Sequence, residues 1–86
     1  MARSKKKTAD ALAFYLGEIK RMYPGSTVEV SADTIEGTDA WIEVFVPERS
    51  VVAAAGKFAR LENEIDDEYG VRFVTLTMPR NGKAAA

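Results

Sequence analysis

Three prolines, at positions 24, 47 and 79, cut this chain into segments whose hydrophobic periods differ. Proline locks φ and lacks an N–H, so it stops helices and is kept out of sheet interiors. Before Pro24, the apolar residues Leu12, Tyr15, Leu16, Ile19, Met22 and Tyr23 recur at spacings of three and four. At about 100° per residue they share one broad face, which predicts a helix over about residues 8–22. Thr8 is its expected N-cap, and Asp10 sits in its first turn.

Between Pro24 and Pro47 the period drops to two. Val28, Val30 and Ala32 alternate with Thr27, Glu29, Ser31 and Asp33, predicting a half-buried strand over 27–33. Residues 34–39, with Gly37, read as a hairpin loop, and a second strand over 40–46 points Ile42, Val44 and Val46 inward. After Pro47 both periods occur in turn. Ser50 caps a second helix whose stripe is Val51, Ala55, Phe58, Leu61 or Glu62, Ile65 and Tyr69, and Gly70 is its left-handed terminator. Val71 to Met78 is β-branched and aromatic, predicting a third strand.

The expected fold is therefore α+β, in the order α-β-β-α-β, with two helices on one face of a three-stranded sheet. The hairpin makes the first two strands antiparallel, and a right-handed crossover through the second helix would set the third parallel to the second if both lie in the same sense, with the strand order left open. The 86 residues make one domain over 8–79, between flexible tails at 1–7 and 80–86. A chain of this size buries only about 60–65% of the surface its unfolded form exposes, which leaves no room for a deep enclosed pocket.

Several functions are excluded by residues that are missing. The chain has no cysteine and no histidine, so disulfides, thiolate metal sites and the common nucleophile–histidine dyads are closed to it. Its glycines, at 17, 25, 37, 56, 70 and 82, form neither a dinucleotide fingerprint nor a P-loop. Glu64, Asp67 and Glu68 could bridge a divalent cation from one helix face, but a solvated acidic face accounts for them. No catalytic residue, metal ligand or cofactor is expected, and the reading is a non-enzymatic protein. The apolar stretch after the basic N-terminus is broken by Asp10 and Glu18, so neither a signal peptide nor a membrane span is expected, and the cytoplasm is the default compartment.

The charge is unevenly spread. The tails hold Arg3, Lys5, Lys6, Lys7, Arg80 and Lys83 and no acid, whereas residues 8–79 hold six basic residues and all 13 acids. Basic arms bind phosphate without sequence preference, which makes Arg3, Lys5, Lys6 and Lys7 nucleic-acid candidates.

Apolar residues beyond those the core needs point to a partner. If Val74, Leu76 and Met78 face the helices with Ile42, Val44 and Val46, then Trp41, Phe45, Val71 and Phe73 face the other way. Two helices cannot cover both sides of one sheet, so these aromatics form an interface candidate. Phe14, with Gly17 and Arg21 on its side of the first helix, is a second. A second copy of the sheet or a single-stranded nucleic acid would each suit the aromatic face. Its surround contains Glu29 and Glu43, and phosphate binding wants a basic one, so protein contact, as a homodimer or a subunit of a larger assembly, is the leading expectation.

Ala54-Ala55-Gly56, followed by Lys57-Phe58-Ala59-Arg60, and the passage Tyr69-Gly70-Val71-Arg72-Phe73 add an alternative. With the element order they resemble the KH-type-II-like fold, and within it the bacterial ribosome-binding factor A family. That family carries an Ala-x-Gly kink between two helical segments before its last strand. The resemblance implies RNA or ribosome binding through the basic tail and Ala54–Arg60, with Gly56, Lys57 and Arg60 as contact candidates. The acidic body departs from the family's basic RNA-facing surface.

Overall fold

The computed structural model describes residues 5–31 and 38–80. Its elements are α1 (Lys5–Met22), β1 (Thr27–Ser31), β2 (Ala40–Val46), a short 3-10 turn (Glu48–Ser50), α2 (Val51–Tyr69) and β3 (Phe73–Pro79). The sheet order is β1-β2-β3, with β1 antiparallel and β3 parallel to β2. This is the expected α+β architecture, with two helices packed against a three-stranded mixed sheet. The expected hairpin loop, together with Ala32 and Asp33, lies in or beside residues 32–37, outside the described residues.

Helix α1 begins at Lys5, ahead of the expected Thr8 cap. Lysine is a good helix former, and Lys6 pairs with Asp10 one turn on at 3.7 Å, so the basic residues extend the helix. The buried stripe is Ala11, Tyr15 and Ile19, with Leu12, Leu16, Met22 and Tyr23 partly buried beside it. The stripe centres closer to Ala11 than the large apolar residues alone suggest. On α2 the buried residues are Ala54, Phe58, Leu61 and Ile65, so Ala54 takes the inward place expected of Ala55. Gly70 ends α2 at φ 67°, its N–H bonded to the Asp66 carbonyl at 2.9 Å. Gly56 lies exposed within this one unbroken helix, so Ala54-Ala55-Gly56 does not separate two helical segments.

The third strand corrects the expected facing. Ala40, Ile42 and Val44 of β2 pair with Phe73, Thr75 and Thr77 of β3, and these six residues turn toward the helices. Phe73 is buried and stacks on Tyr15 with ring centroids 5.6 Å apart, and Val71 is fully buried beside it. Val74, Leu76 and Met78 therefore lie on the opposite face, in register with Trp41, Glu43 and Phe45. Parity is what decides this, because a one-residue shift turns every side chain of a strand over. Two hydrogen bonds hold the register where β3 begins. The Asp39 N–H donates to the Arg72 carbonyl at 2.7 Å, and the Arg72 N–H donates to the Asp39 carboxylate at 2.8 Å.

Candidate interaction surfaces

The face of the sheet away from the helices carries Trp41, Phe45, Val74, Leu76 and Met78. Thr27, Glu29 and Ser31 of β1 and Glu43 of β2 complete it. No described helix packs on this side. Leu76 is 39% exposed, while Phe45, central in the sheet, is only 7% exposed. Phe45 nonetheless stands apart from the core cluster that contains its neighbours Val44 and Val46. Of the three sheet aromatics expected there, Trp41 and Phe45 are in place and Phe73 is in the core. The three apolar residues of β3 that take its place, Val74, Leu76 and Met78, are those expected to face the helices, because alternation alone does not say which set is which.

Phe14 is 43% exposed, and its ring stands 6.3 Å from that of Tyr69 on α2. The pair lines a shallow cleft of about 290 Å³ with Ile65, Glu64, Asp67 and Glu68. Phe14 thus flanks the α1–α2 seam, because the buried stripe of α1 is rotated toward Ala11. Arg21 does not join it in a shared feature. Its guanidinium binds Glu18 at 2.8 Å, which holds that carboxyl below its ordinary range. No group of three or more carboxylates placed to hold a metal ion occurs among the described residues.

Arg3 lies outside the described residues, and so does the side chain of Lys5. Lys6 and Lys7 are exposed in the first turns of α1. Gly56, Lys57 and Arg60 are exposed on α2, and the Lys57 ammonium sits 5.4 Å from the centre of the Tyr23 ring.

A polar chain inside the helix–sheet layer has no counterpart among the expected features. The Tyr15 hydroxyl bonds the hydroxyl of Thr75, and Glu62 takes hydrogen bonds from the hydroxyl and backbone N–H of Thr75. Burial raises the Glu62 carboxyl above its ordinary value, with the Thr75 bonds opposing the shift. Burial likewise raises the Tyr15 phenol, its bond to Thr75 opposing and the Glu62 charge adding. Glu62 Oε2 is buried without a partner. The only sequence signal for this chain was the ambiguity of Leu61 and Glu62 on the α2 stripe.

Comparison with protein-family models, with curated proteins and with solved structures returns no match to this chain. Among the described residues, no helix is long and apolar enough to cross a membrane.

Proposed function

We propose that this chain is a non-enzymatic, cytoplasmic interaction domain that self-associates through the open face of its sheet. The observation that carries this reading is the set of five apolar side chains on that face, Trp41, Phe45, Val74, Leu76 and Met78. An apolar sheet face that no described helix covers marks an interface more often than a solvent-facing surface. The patch spans the central strand and an edge strand, so a second copy related by a two-fold axis meets it sheet to sheet. Glu43 stands between Trp41 and Phe45 opposite Leu76, and Glu29 flanks it on β1, which disfavours a polyanion on the same face.

Sedimentation velocity of the wild type against Trp41→Glu and Leu76→Glu tests the proposal. The expected result is a dimer that survives added salt, and monomeric variants with unchanged circular dichroism. Apolar association is not screened by salt, whereas charge-driven association is. A wild type that stays monomeric at every concentration overturns self-association through this face.

A further inference from the structure

One carboxylate stands in the middle of the open sheet face. Along β2, the central strand, that face presents Trp41, Glu43 and Phe45 in turn, with Leu76 of β3 on one side of Glu43 and Glu29 of β1 on the other. Glu43 is half-buried, and no lysine or arginine among the described residues pairs with its carboxylate. No base occupies any paired position of the face. The two arginines that bracket β3 are engaged elsewhere. Arg72 pairs with Asp66 of α2 at 3.6 Å, and Arg80 donates to the Gly25 carbonyl at 2.6 Å.

Given self-association through the open sheet face, the reading on which this rests, we infer that dimerisation takes up protons at Glu43 and that acid drives the monomer into the dimer. A second copy that covers both Trp41 and Phe45 also covers Glu43 between them. In a two-fold contact the surface that meets Glu43 is the same face of the other copy, with its own Glu29 and Glu43 and no base.

Taking a carboxylate out of water without a cation is costly, whereas a neutral carboxyl costs far less and gains a hydrogen to donate. Glu29, directly opposite Glu43 across the strands, adds a like-charge repulsion that protonation removes. The dimer therefore binds more protons than two monomers do, and linkage makes it tighten as pH falls. One proton for each Glu43 sets the ceiling at about a hundredfold in the association constant per pH unit.

Sedimentation equilibrium of the full chain at pH 7, 6 and 5 tests this. Salt at about 0.5 M screens the general repulsion between two acidic bodies, and circular dichroism follows the fold at each pH. The wild type is expected to dimerise at least about tenfold more tightly at pH 5 than at pH 7. Glu43→Gln keeps the shape without the charge. It should dimerise at least about tenfold more tightly than wild type at pH 7, and change by less than about twofold across the range. Glu64→Gln, exposed on α2, should keep the wild-type dependence.

A wild-type affinity that is flat, or that falls with acid, overturns proton uptake while leaving the sheet face as the interface. A fall would mean that Glu43 pairs with a base of the other copy. A pH dependence that survives in Glu43→Gln also overturns it. Wild type and Glu43→Gln that both stay folded and monomeric at every pH overturn the sheet-face interface itself, and proton uptake with it.

Discussion

The phenol of Tyr15 on α1 bonds the hydroxyl of Thr75 on β3, sixty residues along the chain, and Thr75 in turn bonds Glu62 of α2. When Glu62 is ionised its carboxylate only accepts, so Thr75 then donates to Glu62 and Tyr15 donates to Thr75. Three elements are joined by one polar chain inside an otherwise apolar layer. Tyr15→Phe removes only the first bond and should cost about 1 kcal/mol, whereas Thr75→Val strips the hydroxyl partner from a half-buried carboxylate and should cost about 2 kcal/mol. Urea unfolding followed by circular dichroism reads both. Equal costs would mean that the chain does not run through Thr75.

The same carboxyl gives stability a pH dependence of predictable sign. Burial favours neutral Glu62, so its pKa in the folded chain lies above the ordinary 4.5. Its contribution is full below that value. As pH rises past it the unfolded chain ionises first, and stability falls until the folded pKa is passed. Glu62→Gln should flatten the profile, with its advantage over wild type growing from pH 4 to pH 7. Urea midpoints across that range check the sign, and an advantage that shrinks with pH would contradict it.

Substitutions on β3 separate the two faces of the sheet. Phe73 is buried against Tyr15, so Phe73→Ala should destabilise the fold by about 3–5 kcal/mol. Leu76, 39% exposed on the open face, should cost less than about 1.5 kcal/mol as alanine in the monomer and act mainly on association. Thermal unfolding at low concentration, beside light scattering at high concentration, distinguishes these outcomes.

Asp39 holds the start of β3 through its side chain. Asp39→Ala leaves the Arg72 N–H without its 2.8 Å acceptor and should destabilise by about 1 kcal/mol. Hydrogen exchange at Arg72 should quicken, while Asp39→Asn keeps a carbonyl acceptor and most of the protection. Unchanged exchange in Asp39→Ala would remove this contact from the account of strand register.

Two glycines on or beside α2 should respond in opposite directions. Gly70 sits at φ 67°, where a Cβ is strained, so Gly70→Ala should cost about 1 kcal/mol. Gly56 is inside the helix with nothing within 4 Å of an added Cβ, so Gly56→Ala should stabilise by about 0.5–1 kcal/mol. Denaturation midpoints of the two variants test the contrast.

Element order and type were legible in the residues alone, because period and punctuation are local properties. Leu12 to Tyr23 could only line one side of a helix, Pro24 and Pro47 bound the paired strands, and Gly70 stops α2 where its left-handed φ requires. The absence of histidine and cysteine was legible too. The facing of β3 was not. Its two interleaved sets, Phe73-Thr75-Thr77 and Val74-Leu76-Met78, differ by one residue of register, and apolar content alone favours turning the second set inward. Tertiary contacts reverse that preference, since Tyr15 stacks on Phe73, the Thr75 hydroxyl meets Tyr15 and Glu62, and the Asp39–Arg72 bonds hold the strand in place. Local sequence settled which elements form, and long-range packing decided which side of β3 meets water, because strand parity has no local energy.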